Sequence, residues 1–345
     1  MRDFFSSLPF VYHVLIFAGS VAVIFFAGRR LAKVAETIAD RSGLGQAITG
    51  GLFLGAATSL PGLVASITAA WQGYPEMAIS NAVGGIAAQT AFLGIADICL
   101  RRGNLEHAAA SLANLMQAGL LIALLSLPLM AFSLPELTLL GMHPVTFLMV
   151  SAYCYGMHLS SKTKADPMWH PHQTDVTQED EGEAEKSEQS WTAALVSFVL
   201  LAALTAVAGW LTAETGIVAV NRLGLSESLV GGLFTAISSS LPELVTSIAA
   251  VRNGAYTLAV GGIIGGNAFD SLFMAASDVA YREGSIYHAI SNQQLFLVSL
   301  AILMTAVLMM GLVGRERRGI ANIGFETFGI LSLYGVALIA MFLSK

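Results

Sequence analysis

The sequence predicts an all-α integral membrane protein with ten transmembrane helices, arranged as two inverted five-helix repeats in which helices 2 and 7 are broken. Three observations support this fold class: 55% of the 345 residues are hydrophobic and only 12% charged, long apolar segments recur, and part of the sequence occurs twice. Soluble globular domains carry about 25% charged residues. The composition therefore excludes an ordinary soluble protein.

Ten apolar segments have the length of about 20 residues that a helix needs to cross a hydrocarbon core about 30 Å thick. In order they are 9–28, 46–71, 75–99, 108–131, 137–157, 192–213, 227–251, 256–280, 290–313 and 320–343. Runs such as 112–132 are apolar on all sides, whereas the strands of an outer-membrane barrel alternate between apolar and polar residues. The segments are therefore expected to be helices.

One long hydrophilic segment divides the chain. It predicts a first five-helix transmembrane repeat over 1–157, an acidic linker over 158–191 and a second, inverted repeat over 192–345. Of the 17 Lys and Arg residues, 13 fall on the linker's side of the predicted helices, and basic residues accumulate in cytoplasmic loops. We therefore expect a multi-pass protein of the cell membrane, surrounded by the lipid bilayer, with both termini outside and 158–191 in the cytoplasm.

The internal repeat is detected without gaps. Residues 50–97 align with 231–278 at an offset of 181, with 19 of 48 pairs identical. Because five predicted helices separate equivalent points, the copies have opposite orientations in the membrane. Each copy has a proline within an apolar segment, Pro61 and Pro242, which removes a backbone donor and frees carbonyl groups. Inverted repeats with interrupted helices are typical of secondary transporters, which bind substrate near the bilayer midplane.

Two acidic residues fall near the middle of predicted spans, Glu243 and Asp270. An ionised carboxylate is costly there and indicates a functional site. Carboxylates together with hydroxyl and carbonyl groups form the all-oxygen environment that hard cations such as Ca²⁺ prefer. The first copy has Gly62 and Gln89 at the equivalent positions, so it contributes no carboxylate.

Three other acids are ambiguous. Asp97 and Asp278 are repeat-equivalent, and each precedes an arginine by four residues, Arg101 or Arg282. Acid–base pairs at this spacing interact on a helix, so we expect ion pairs at helix ends. For Glu326, early in the last segment, we expect a polar contact near the membrane interface.

The repeat motifs resemble those of the cation/Ca²⁺ exchanger superfamily, which includes the Na⁺/Ca²⁺ exchangers. They read "AATSLPG" with "SNAVGGIAAQ", and "ISSSLPE" with "GGIIGGNAFD". The resemblance implies that Glu243 and Asp270 coordinate the ion, that carbonyls at Thr58 and Ser239 add ligands, and that other hydroxyls serve smaller monovalent sites. The complete implied ligand set is Thr58, Ser59, Gln89, Ser239, Ser240, Glu243, Asn267 and Asp270.

These observations predict a cation antiporter that exchanges Ca²⁺ for Na⁺ or H⁺. Two alternatives remain open at this point: a monovalent cation/H⁺ or Mg²⁺ exchanger, and a membrane protein that keeps the fold without transporting. We expect no cofactor, no enzymatic activity and no nucleic-acid partner; the expected ligands are the transported inorganic cations. The oligomeric state does not follow from the sequence.

Overall fold

The computed structural model describes residues 5, 7–42, 55–100, 104–169, 172, 174, 190–316 and 324–343. This part of the chain is all-helical, apart from an isolated β-bridge between Leu139 and Met142. Its α-helices are α1 (Phe10–Ser42), α2 (Gly55–Thr58), α3 (Leu60–Trp71), α4 (Pro75–Cys99), α5 (Leu105–Ala108), α6 (Leu112–Ser133), α7 (Pro144–Ala165), α8 (Trp191–Leu223), α9 (Glu227–Leu229), α10 (Ala236–Arg252), α11 (Tyr256–Asp270), α12 (Leu272–Ala280), α13 (Asn292–Gly314) and α14 (Phe325–Leu343).

Eight candidate membrane spans are long and apolar enough to cross a bilayer within the described residues. They contain α1, α4, α6, α8, α10 with the turns before it, α11 with α12, α13 and α14. The second predicted segment is described only from residue 55, and its helix α3 has 12 residues. The fifth corresponds to α7, which has 22 residues but is less apolar. The count of ten transmembrane helices therefore stays a prediction.

The first helix of each half is longer than its apolar segment. Helix α1 continues to Ser42 instead of ending near residue 28, and α8 continues to Leu223 instead of 213. The extension of α1 is amphipathic: Arg29 and Arg30 are exposed, while Leu31 is buried against α8. A hydropathy window ends where charged residues begin, whereas the helix continues because its apolar side is still packed.

The helix breaks differ between the two copies. In the first copy α2 and α3 are separated at Ser59, two residues before Pro61. In the second copy no break is seen at Pro242, which lies inside α10; the irregular stretch is a π-helical turn at Val230–Thr235. There the backbone of Gly232 lies so close to α4 that a Cβ added to Gly84 would lie 2.5 Å from the Gly232 Cα. Close packing therefore accompanies this distortion.

Helix α4 and the pair α11–α12 form the centre of the molecule. In the candidate spans that contain them, 94% and 72% of the most apolar window is buried, against 22% for both α1 and α8. Helix α4 packs against α3, α10, α11, α13 and α14, whereas α1 and α8 pack mainly against each other. The repeat-equivalent helices that carry Gln89 and Asp270 thus lie side by side in the core.

The ion pair expected between Asp278 and Arg282 is wrong. Asp278 is fully buried, and its carboxylate accepts three hydrogen bonds, from the His143 amide at 2.7 Å, the Thr146 hydroxyl at 2.6 Å and the Ile286 amide at 3.0 Å. Arg282 is exposed and lies over the Trp71 ring. A buried carboxylate needs donors, and the loop amides supply them, so Asp278 connects the end of α12 to neighbouring loops.

Asp97 has the equivalent role at the end of α4. It is also fully buried and accepts hydrogen bonds from the Leu105 amide at 2.8 Å, the Gly324 amide at 3.3 Å and the Thr327 hydroxyl at 3.0 Å. These donors come from two other parts of the chain, so Asp97 joins α4 to α5 and α14. Its predicted partner, Arg101, lies outside the described residues.

Candidate cation site

The structure brings the eight sequence-predicted site residues to the region where the two repeats meet. Thr58 and Ser59 lie at the break between α2 and α3, and Gln89 lies on α4; Ser239, Ser240 and Glu243 lie on α10, and Asn267 and Asp270 on α11. Seven of the eight side chains are buried, and that of Thr58 is half-buried. Polar side chains are thus concentrated in an otherwise apolar core.

A hydrogen bond between repeat-equivalent residues connects the two halves of the site. The side-chain amide of Gln89 donates to Asp270 Oδ2 at 2.6 Å and approaches Ser240 Oγ at 3.2 Å. These two positions are separated by the repeat offset of 181 residues. The amide therefore orients one carboxylate oxygen of Asp270 without neutralising its charge.

Several oxygen atoms of the site have no hydrogen-bond partner. They are Gln89 Oε1, both carboxylate oxygens of Glu243, Asn267 Oδ1 and Asp270 Oδ1, and all are buried. The Thr58 and Ser59 hydroxyls face the carboxylates of Glu243 and Asp270, respectively. Buried polar atoms are rarely left unpaired, because each costs roughly 1–3 kcal/mol. Five such acceptors from four side chains suit a cation.

The amide of Asn267 is oriented by the first repeat. Its nitrogen donates to Thr90 Oγ1 at 3.0 Å and to the Ile86 carbonyl at 3.4 Å, both on α4. With the nitrogen held in this way, Oδ1 is the group left available to a ligand. Asn267 is therefore positioned as an oxygen donor.

The hydroxyls of Thr58 and Ser239 also bond to their own helices. Thr58 Oγ1 donates to the Gly55 carbonyl at 3.2 Å, and Ser239 Oγ donates to the Ala236 carbonyl at 3.1 Å. The Ser239 proton is thus directed at the backbone, which leaves oxygen lone pairs as the groups this residue can offer.

An aromatic ring occupies the space beside Gly62, the residue equivalent to Glu243. A Cβ added to Gly62 would lie 2.9 Å from Phe273 Cε2 and 3.2 Å from Ser239 Oγ. The Gly62 carbonyl accepts a hydrogen bond from Asn81 Nδ2 at 3.0 Å. At the position equivalent to Glu243, the first repeat therefore has no side chain, and the space is taken by an aromatic ring from the second repeat.

Sequence reasoning missed four residues around the site: Asn81, Thr90, Gln117 and Phe273. Asn81 binds the Gly62 carbonyl and accepts from the Thr235 hydroxyl at 2.7 Å. Gln117 on α6 has an unpaired Oε1, which would lie 3.4 Å from a Cβ added to Gly265. Isolated polar residues in apolar helices were the available signal for the first three, whereas nothing in the sequence distinguishes Phe273 from other core phenylalanines.

The donor set contains carboxylate, amide and hydroxyl oxygens, which suit Ca²⁺ or Na⁺ better than softer transition metals. Within the described part of the chain, no group of three or more His, Cys, Asp or Glu residues could hold a metal ion. Two carboxylates with neutral oxygens thus provide a site of moderate charge. Such a site fits a cation that must also be released.

Comparisons with known proteins agree with this architecture. The putative antiporter CaxA of Alkalimonas amylolytica is 28% identical over 312 residues, covering 88% of this chain and 91% of that protein. Among solved structures, the H⁺/Ca²⁺ exchanger CAX matches with a TM-score of 0.70 at 16% identity, over 99% of this chain and 85% of CAX. The sodium–calcium exchanger NCX_Mj, soaked with Na⁺ and Sr²⁺, matches with a TM-score of 0.59 at 17% identity, over 96% and 99%.

The family model for the sodium/calcium exchanger protein matches residues 12–159 and 191–343. These ranges include nearly all of the chain on both sides of the acidic linker. The chain is a multi-pass membrane protein that belongs to the sodium/calcium exchanger protein family.

Proposed function

We propose that this protein is a secondary-active antiporter that carries Ca²⁺ in exchange for Na⁺ or H⁺. The observation that carries the proposal is the set of five unpaired, buried oxygens on Gln89, Glu243, Asn267 and Asp270. Both repeats contribute to this set, as expected for a substrate site at a repeat interface. Membership of the exchanger family and likeness to the fold of CAX and NCX_Mj support the same reading.

The fold also suggests how access alternates. Helices α1 and α8 lie at the outside of the molecule and pack mainly against each other, while α3, α4, α10 and α11 hold the site. A movement of the α1–α8 pair against this core would expose one site to either side of the membrane in turn. In this proposal residues 1–157 and 192–345 are the two inverted repeats.

Binding of Ca²⁺ to the purified protein tests the site. We expect saturable binding in a calorimetric titration, and a loss of affinity of more than about tenfold, or about 1.4 kcal/mol, in Glu243→Gln and Asp270→Asn. Glu283→Gln is a matched control, because Glu283 is an exposed carboxylate outside the site. Unchanged Ca²⁺ affinity in both site variants would refute the proposal.

The counter-ion is tested in reconstituted vesicles. Ca²⁺ uptake is measured against an outward Na⁺ gradient and, separately, an outward H⁺ gradient, with Asp270→Asn as the inactive reference. Uptake driven by either gradient supports antiport. A protein that binds no cation and moves none would instead be a non-transporting member of the fold.

A monovalent cation/H⁺ or Mg²⁺ exchanger is the second candidate. It is favoured by the reduced charge of the first repeat, where Gly62 is equivalent to Glu243 and Gln89 is equivalent to Asp270. Displacement of bound Ca²⁺ by Mg²⁺, Na⁺ or K⁺ distinguishes the candidates. Tighter binding of one of these ions than of Ca²⁺ would favour the second.

The proposed orientation has both termini outside and 158–191 in the cytoplasm. In a Cys99→Ser/Cys154→Ser background, Gln178→Cys should react with an impermeant thiol reagent only after the cells are opened. Glu283→Cys, on an exposed loop between α12 and α13, should react in intact cells. The reverse pattern of labelling would invert the topology.

A further inference from the structure

A second group of acids, of which two are buried and one is half-buried, lies away from the candidate cation site. Asp97 lies in the last turn of α4, Glu106 lies on the short helix α5, and Glu326 lies in the first turn of α14. Asp97 is fully buried, and Glu106 is 4% exposed. Three carboxylates this close together in a low-dielectric environment are too costly to be carried as three negative charges.

One hydroxyl lies between two of these carboxylates. Thr327 Oγ1 is 3.0 Å from Asp97 Oδ2 and 2.9 Å from Glu106 Oε1. A threonine hydroxyl has a single proton, so it cannot donate to both acids at full strength. The second contact is satisfied if one carboxyl group is protonated and donates to the threonine oxygen.

The surroundings identify Glu106 as the protonated acid. Asp97 also accepts hydrogen bonds from the amides of Leu105 and Gly324, which favour its charged form. Glu106 has less such help: apart from Thr327, only its own backbone amide favours the charged form, and its other oxygen, Oε2, is buried without a partner. The Asn104 side-chain nitrogen is likewise buried and unpaired, and both atoms would lie within 3.0 Å of a Cβ added to Gly324.

Two glycines make room for these acids. A Cβ on Gly311 of α13 would lie 2.7 Å from Glu326 Cγ and 3.1 Å from Glu106 Cγ. A Cβ on Gly324 would be 2.6 Å from Asn104 Nδ2. Larger residues at either position would push the acids apart, so the backbone here is fitted to hold them together.

Among the residues that the structure describes, the other charged and titratable groups around Glu106 do not neutralise its carboxylate. From α13, the Arg315 guanidinium donates to the carbonyls of His107 and His172. On α5 itself, the His107 ring bonds to the Arg315 carbonyl and to Thr174 Oγ1. Helix α11 also packs against α5, and the titratable residue at its start is Tyr256. Asp97 from α4 and Glu326 from α14 add negative charge.

We propose that Asp97, Glu106 and Glu326 form a proton-binding site, separate from the Glu243–Asp270 site, in which Glu106 carries the proton and Thr327 links it to Asp97. Burial, with the Asp97 charge as the next largest cause, raises the pKa of the Glu106 carboxyl to about 7. The proton therefore leaves near neutral pH. A proton on Glu106 satisfies the shared Thr327 hydroxyl and removes one of the three negative charges, which makes a proton the ligand that fits.

Helix α4 would transmit the effect of proton release from Glu106 to the cation site. Asp97 is on the same helix as Gln89, whose amide orients Asp270. A new negative charge at Glu106 would repel Asp97 and Glu326 and loosen the junction of α4, α5 and α14. In a step that rests on the proposed function, we expect exchange to slow as the pH rises above about 7.

Infrared spectroscopy tests the proton site without relying on transport. In a Glu243→Gln/Asp270→Asn background, the carbonyl band of a protonated carboxylic acid is followed as the pH is raised. We expect a component that disappears with a midpoint near 7 and that is missing when Glu106→Gln is added. The control Glu316→Gln, an exposed carboxylate after α13, should keep the component, and a component unchanged by Glu106→Gln overturns the proposal.

A second variant tests the proton site independently, in case Glu106→Gln does not fold. Asp97→Asn removes the neighbouring charge that favours the protonated form of Glu106, so it should move the midpoint to lower pH. A midpoint that stays in place or rises contradicts the proposed coupling of these two acids.

Transport is the second readout. Glu106→Gln, which is permanently neutral, should keep its exchange rate above pH 7 where the unmodified protein slows, with unchanged Ca²⁺ affinity. Identical pH profiles would refute the coupling to exchange even if the infrared result stands. Absence of Ca²⁺ transport in both proteins would instead refute the proposed function, and the infrared test of the proton site would be unaffected.

Discussion

At position 62 the chain has glycine where its repeat partner has Glu243, and the two sites differ in packing as well as in charge. Phe273 lies against Gly62, and the Gly62 carbonyl is held by Asn81. The single exchange of glutamate for glycine thus involves two residues from different helices. Restoring a carboxylate at position 62 therefore requires a change at both Gly62 and Phe273.

The first prediction concerns this pair. Gly62→Glu alone should lower the free energy of unfolding of the protein by about 1–3 kcal/mol, because the new side chain overpacks the space held by Phe273. Gly62→Glu/Phe273→Ala should recover part of the stability and bind Ca²⁺ more tightly. Phe273→Ala alone is the control for the cavity. Equal thermal stability of Gly62→Glu and the unmodified protein would show that the ring does not obstruct the site.

The second prediction also concerns one residue, Glu106. Its pKa is raised from 4.5 to about 7 in the folded protein, so the folded state holds more protons than the unfolded state between these values. Stability should therefore be greatest below pH 4.5 as far as this group is concerned, and fall by on the order of 3 kcal/mol as the pH rises from 4.5 to about 7. Thermal unfolding in detergent, followed against pH, should show this fall in the unmodified protein and a smaller one in Glu106→Gln.

At the scale of helices, two glycine–proline contacts connect the outer pair to the core. A Cβ on Gly28 of α1 would lie 2.8 Å from Pro242 Cγ, and one on Gly209 of α8 would overlap the Pro61 carbonyl oxygen. Both the glycines and the prolines are separated by the repeat offset of 181 residues. Each outer helix therefore touches the core at the proline of the opposite repeat.

The third prediction follows from these contacts. Gly28→Ala and Gly209→Ala should slow exchange by about tenfold or more, because a methyl group at either contact hinders movement of α1 and α8 past the core; a barrier increase of 1.4 kcal/mol suffices for this factor. Ca²⁺ affinity should change little. Gly19→Ala on α1 is the matched control, since nothing lies within 4 Å of its added Cβ. Wild-type exchange rates in both contact variants would contradict the proposed movement.

At the scale of the whole molecule, the charge of the candidate site determines which cations it can hold without a large net charge. The site has two carboxylates, Glu243 and Asp270, both buried in the core. It is neutral when it holds one Ca²⁺, two Na⁺ or two protons. Net charge at a low-dielectric position is strongly unfavourable, so the occupied states should be close to neutral.

The fourth prediction is therefore electroneutral exchange. In vesicles whose membrane potential is clamped by K⁺ and valinomycin, the initial rate of Ca²⁺ uptake should not depend on the potential. A Na⁺-driven uptake that carries net positive charge inward would contradict this stoichiometry. Gly62→Glu/Phe273→Ala adds a third acid and should make the rate depend on the potential.

Much of the architecture follows from local sequence properties. The apolar segments predicted the spans of α4, α6 and α13 to within a few residues, because the length of an apolar run is limited by the bilayer. The ends of α1 and α8 were predicted too early, because amphipathic extensions contain charged residues. The break expected at Pro242 is not seen, because a helix tolerates one missing donor when its neighbours hold it.

The sequence by itself determined the membrane class, the internal repeat and the types of residue at the candidate site. These depend on composition and on spacing along one chain. Only the tertiary structure decided which partners those residues have: the bond from Gln89 to Asp270, the ring of Phe273 beside Gly62, and the junction of Asp97 with Glu106. Such contacts join segments far apart in sequence, and no local pattern encodes which helix faces will meet.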